Sequence, residues 1–120
     1  MSSSTLPFKV AAAKAVADPA RQFMLFAQAS ELDGYLKVFE DYGYSGNGHS
    51  WREHLETIIE EFAPELLDHL EFAEDDDNFV AYADSPDAVR QFMACALPYF
   101  GDLGKLNKYL GQTDPGNFFA

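Results

Sequence analysis

Apolar positions along this chain follow a helical period in some stretches and a two-residue alternation in others. From Asp41 to Phe62 the sequence DYGYSGNGHSWREHLETIIEEF joins an aromatic, glycine-rich loop to a well-marked helix start. Trp51, Leu55, Ile58, Ile59 and Phe62 recur at helical spacing, which predicts a helix over 51–62 with one continuous apolar stripe. Ser50 followed three residues later by Glu53 reads as a capping box, in which serine hydroxyl and glutamate carboxylate each take a backbone N–H of the first turn. Gly43, Gly46 and Gly48 let the preceding loop reach positive φ. Residues 30–42 give an earlier helix: Ser30 and Asp33 mark its start, Leu32, Tyr35, Leu36 and Phe39 form its stripe, and Gly43 closes it.

The second half repeats this grammar. Ser85 caps a helix with Pro86 at its first position, and Val89, Phe92, Met93, Ala96 and Phe100 form its inner face. Pro98 is expected to kink or stop that helix, because it has no N–H to donate. A last helix spans 103–110, started by Asp102 and closed by Gly111. Between the helices lie short aromatic and β-branched runs. QFMLFAQ at 22–28 predicts a strand, and LEFA at 70–73 with FVAYA at 79–83 predicts a hairpin around the charged turn EDDDN. Residues 65–69 read as a connecting turn, and 8–16 supports either element: its alanines favour helix, whereas Phe8, Val10 and Ala12 alternate as in a strand. Read as a strand, it pairs with 22–28. The expected fold is α+β, a small antiparallel sheet of about four strands with helices packed on one face, in the order ββααββαα. One domain over residues 1–120 is expected, with 1–5 and 112–120 as tails.

Charge changes the picture most. The chain carries a net charge of −12, and fifteen acidic against two basic residues place a balance of −13 within 31–77. Such a surface repels nucleic acid and anionic membranes and suits a basic protein. The densest part, Glu74, Asp75, Asp76 and Asp77, reads in composition as a solvated turn and in function as an electrostatic docking face. One cysteine, Cys95, fits a reducing cytoplasm. The N-terminus has no basic start, Lys9 and Lys14 interrupt its apolar part, and no run is long enough to span a bilayer.

Catalytic and metal motifs fail on their details. In EDDDN, Phe79 stands where a calcium loop needs glycine and Ser85 where it needs glutamate. His49, His54 and His69 lack the spacing of a helical zinc pair and read as surface or interface side chains. Cys95 falls in an apolar helix, as a buried inert thiol would. Ser50 with His54 has no glycine elbow or oxyanion pattern around it, and GYSGNG lacks the lysine of a phosphate loop. No cofactor is expected. Tyr44, flanked by glycines, is a better interface candidate than Trp51, which belongs to the core stripe.

GYSGNGHSW at 43–51, PELLDHLEF at 64–72 and FVAYADSPDAVRQF at 79–92 resemble the immunity protein 51 family of bacterial polymorphic toxin systems. The likeness spans 34–110; Pro98 and the alanine-rich start depart from it. The resemblance implies a small cytoplasmic protein that binds the catalytic domain of a cognate secreted toxin, without catalysis. Charge adds that this domain has a basic surface. Tyr44, Glu53, Glu56, Glu60, Glu74, Asp75, Asp76 and Asp77 are the expected partner-binding residues. The competing expectations are an enzyme acting on a small molecule or reversing the toxin's modification, and an adaptor or chaperone for toxin secretion.

Overall fold

The structure, a computed structural model, describes residues 8–12, 22–28, 31–73 and 77–113. Its elements are β1 (Lys9–Ala12), β2 (Phe23–Ala27), α1 (Asp33–Asp41), α2 (Gly48–Phe62), a 3₁₀ helix (Pro64–His69), β3 (Leu70–Phe72), β4 (Phe79–Ala83), α3 (Pro86–Phe100) and α4 (Leu103–Leu110). The four strands form one antiparallel sheet in the order β1-β2-β4-β3. Two hairpins are thus joined through their later strands, with Phe23 opposite Ala83 and Ala27 opposite Phe79. The fold is α+β with helices packed on one face of the sheet, in the expected element order. The alternation in 8–12 resolves as strand.

Register decides which face is core. Leu25, Ala27, Phe79, Ala81 and Ala83 lie on one face and are buried. Phe8, just before β1, is fully buried among the edges and faces of Trp51, Phe79, Phe92 and Phe100, at centroid distances of 5.1–6.1 Å. Ala81 and Ala83 are small, so α2 and α3 can approach β4 closely. The opposite face carries Met24, Phe26, Val80 and Tyr82, all half-buried, in two rows across the central strands.

The loop before α2 is built by glycine at two places. Gly43 has φ of +90° and closes α1 as predicted: its N–H donates to the Glu40 carbonyl and that of Tyr44 to Phe39. Gly46 has φ of +72°, and a Cβ there would meet Leu36 Cδ1 at 2.8 Å. Gly48 instead lies in the first turn of α2, without positive φ.

The start of α2 corrects the capping box. The helix begins three residues earlier than expected, capped by Asn47, whose side-chain oxygen accepts the Ser50 N–H at 2.9 Å. Ser50 is buried in the first turn, and its hydroxyl accepts the Gly46 N–H at 3.1 Å. Asparagine supplies the same acceptor one turn sooner, so the serine is released to fix the loop. Asn47→Ala should therefore cost about 1 kcal/mol in urea unfolding, while Glu53→Gln should change stability by less than about 0.5 kcal/mol. The reverse order of these two costs would restore the capping box.

Other local readings meet mixed outcomes. Ser85 caps α3 by accepting the Ala88 N–H at 3.1 Å, and Asp102 caps α4 by accepting that of Lys105 at 2.8 Å. The helix α1 starts at Asp33, and Ser30 lies outside the described residues. Pro98 does not stop α3, which runs on to Phe100. It sits in the last turn, with only Tyr99 and Phe100 after it.

Candidate functional site: the faces of the central helix

The helix α2 positions most of the residues considered for function. Its inner ridge, Trp51, His54, Leu55, Ile58 and Ile59, is buried. Its outer ridge carries Glu53, Glu56 and Glu60, with Glu53 and Glu56 half-exposed and Glu60 exposed. Positions three and four apart bring these carboxylates onto one strip of helix surface. Arg52, the single Lys or Arg of α2, reaches Glu56 at 3.9 Å and sits over the Phe72 ring of β3 at 5.3 Å. An exposed ion pair of this length offsets little of the surrounding charge. Asp77 is exposed ahead of β4, and Glu74, Asp75 and Asp76 lie outside the described residues.

Tyr44 corrects the sequence reading. It is 4 % exposed, packs edge-on against His54 at 4.6 Å, and shares a 2.7 Å hydroxyl hydrogen bond with Thr113. The glycines around it turn the side chain inward. It is a core residue, and we remove it from the docking surface.

His54 was expected at the surface and is instead fully buried, while His49 and His69 are exposed. Its Nδ1 lies 2.8 Å from the Tyr109 hydroxyl. Burial holds the His54 pKa down to about 4, and burial first, with nearby Tyr44, Tyr99 and Glu61, pushes that of Tyr109 up. The phenol therefore keeps its proton and donates it to Nδ1, which leaves the imidazole proton on Nε2. Tyr44, His54, Tyr109 and Thr113 make a polar knot inside an otherwise apolar core. It ties α2 to the end of α4. His69 differs: its Nδ1 meets Asp84 at 2.7 Å, and that carboxylate, through hydrogen bond and charge, raises the histidine pKa.

Burial pushes the half-buried Cys95 thiol up, so the thiolate is disfavoured. Among the described residues no three His, Cys, Asp or Glu side chains are grouped to hold a metal ion. None of the described helices is long and apolar enough to cross a membrane.

Sequence reasoning missed the exposure of Phe62. It continues the spacing of the buried stripe, yet its side chain is 57 % exposed and stacks on Tyr99, centroids 6.1 Å apart and planes 23° from parallel. Spacing within α2 carries no trace of that exposure. A groove of about 360 Å³ opens beside it between α2 and α3.

Comparison with known proteins bears on this architecture. No curated protein and no solved structure matches the chain. The profile of a family described as Immunity protein 51 matches residues 17–115, most of the length. By that match, the chain belongs to the immunity protein 51 family.

Proposed function

We propose that the protein neutralises a cognate secreted toxin by binding its catalytic domain directly, one to one, without catalysis of its own. Membership of the immunity protein 51 family is the observation that carries this reading. Physical support comes from the acid ridge of α2. Residues 31–73 hold eleven acidic and two basic side chains, and Glu53, Glu56 and Glu60 face outward along the helix. A surface of that sign speeds encounter with a basic partner such as a nuclease and rejects acidic ones. Residues 74–77 add four carboxylates to the same excess. His54, the side chain best suited to acid–base chemistry, is sealed in the core, which favours an inhibitor over an enzyme.

The test uses the toxin domain encoded by the neighbouring gene, titrated against this protein in a toxin-activity assay. Protection is expected to saturate at one protein per toxin. Full protection at a tenth of that ratio would establish catalytic rescue instead, and no effect on the isolated domain would point to a secretion adaptor. Replacing Glu53, Glu56 and Glu60 together by glutamine should slow association about tenfold at low salt and flatten its salt dependence.

A further inference from the structure

The sheet turns one face away from the helices, and that face is apolar at its centre. Register sets its side chains in two rows across the strands. Lys9, Phe26 and Val80 make one row, and Ala11, Met24, Tyr82 and Glu71 make the other. Met24, Phe26, Val80 and Tyr82 are half-buried, yet among the described residues none belongs to the core or to the side chains packed against it. An antiparallel sheet with one solvated face ordinarily alternates, apolar inward and polar outward. Here both faces of the central strands are apolar.

Charge on this face is equally distinctive. The chain carries −12, but these two rows hold one basic and one acidic side chain, Lys9 on edge strand β1 and Glu71 on edge strand β3, both exposed. The acid ridge of α2 belongs to the helix layer on the other side of the sheet. A basic partner is drawn to that ridge, whereas a second copy of this chain is repelled by it and meets no net charge on the uncovered face.

The two rows also complement themselves. A two-fold axis parallel to the strands, passing between β2 and β4, lays β2 of one copy over β4 of the other and β1 over β3. Each row keeps its level under that rotation. Phe26 then faces the second copy's Val80, a large side chain against a small one, and Met24 faces its Tyr82, a thioether against an aromatic ring. Ala11 leaves room over the second copy's Glu71, and Lys9 stands two residues along β1, about 7 Å away and within reach of that carboxylate. A two-fold axis across the strands would instead set β1 over β1 and β3 over β3, with like charges at each edge. Charge selects the first arrangement.

We propose that this protein self-associates through the uncovered face of its sheet, as a two-fold dimer of stacked sheets with their strands aligned. Four strands about 4.8 Å apart, with roughly five residues at about 3.3 Å each, give a face of about 300 Å² in plan, below the about 800 Å² per partner of a standard interface. The dimer is therefore weak, with a dissociation constant on the order of 10–100 μM. Each copy keeps its helix layer outward, so a dimer presents two acid ridges and still takes one toxin per protein. Self-association does not depend on the toxin reading, and either can fail without the other.

Sedimentation velocity on the full chain, over concentrations spanning that range, reads the equilibrium. Lys9→Glu and Glu71→Lys, both at exposed positions, should each weaken the dimer about tenfold, because each sets like charges together at both edges. An equimolar mixture of the two variants should recover wild-type affinity, since each copy then offers the charge that the other lacks. Phe26→Lys should stay monomeric throughout, and the charge reversals carry the test even if that variant does not fold. A wild-type protein that is monomeric up to about 1 mM would overturn the inference. A dimer that neither reversal weakens, or a mixture no tighter than either variant alone, would overturn it as well.

Discussion

Trp51→Ala is expected to cost about 3–5 kcal/mol in chemical unfolding, enough to leave much of the protein unfolded near physiological temperature. Trp51 is fully buried at the point where the elements converge. Its ring meets Phe8 of the first strand region at 5.8 Å, Tyr35 and Phe39 of α1 at 5.6 and 5.9 Å, and Phe100 of α3 at 5.1 Å. Truncation loses the transfer free energy of the indole and opens a cavity that four rings, fixed by three separate parts of the chain, cannot collapse to fill. Phenylalanine at the same position should cost much less, about 1–2 kcal/mol. It keeps most of the volume and removes the indole N–H, which has no acceptor among the described residues and so carries an uncompensated desolvation penalty. Urea titration of the two variants checks both figures. Equal costs for alanine and phenylalanine would show that packing at this site is not what holds the helices to the sheet.

Acidification should produce the second large effect. Burial lowers the His54 pKa from 6.5 to about 4, so the folded protein resists the proton that the unfolded chain accepts. Stability from this group is then complete above pH 6.5, and falls as pH drops toward 4. The loss reaches about 3 kcal/mol by linkage, at roughly 1.4 kcal/mol per unit. His69 acts in the opposite direction: its pKa is raised by Asp84, so its contribution is present below pH 6.5 and fades as pH rises through the folded value. Being exposed, it offsets the buried histidine little. His54→Leu isolates the term. The variant should be less stable at pH 7.5, where Tyr109 loses its acceptor, yet should lose about 2.5 kcal/mol less than wild type between pH 7 and 4.5. Parallel curves for the two proteins across that interval would mean that the imidazole is protonated in the fold as readily as outside it.

Much of the architecture is legible in local chemistry. The β4 and α4 ranges follow directly from FVAYA between turn residues and from Asp102 and Gly111 around 103–110, and Ser85 caps where its hydroxyl has an N–H to take. Reading fails where a residue's fate is decided by something far along the chain. Tyr44 looks like a loop side chain until Thr113, sixty-nine residues later, comes to meet its hydroxyl. His54 looks like surface until Tyr109 closes over it, and Phe62 looks like core because its spacing is right, although its stack on Tyr99 leaves it exposed. Helical periodicity reports which face of α2 points inward but not how far along that face the neighbours extend. The candidate site divides in the same way. The acid ridge Glu53, Glu56 and Glu60 is visible as spacing, whereas the groove beside Phe62 exists only once α2 and α3 are side by side.

The strand order has a consequence for the protein as it is made. The central pairing sets Ala27 against Phe79, so β2 finds its inner neighbour only after about fifty further residues have been synthesised. At roughly 5–20 residues per second, that interval is about 3–10 s. Throughout it the edge of β2 that faces β4 in the finished sheet lacks its strand neighbour. Residues 31–62, which form α1 and α2, emerge during this gap. The growing chain therefore carries its helical cover before it carries the strand that completes its sheet.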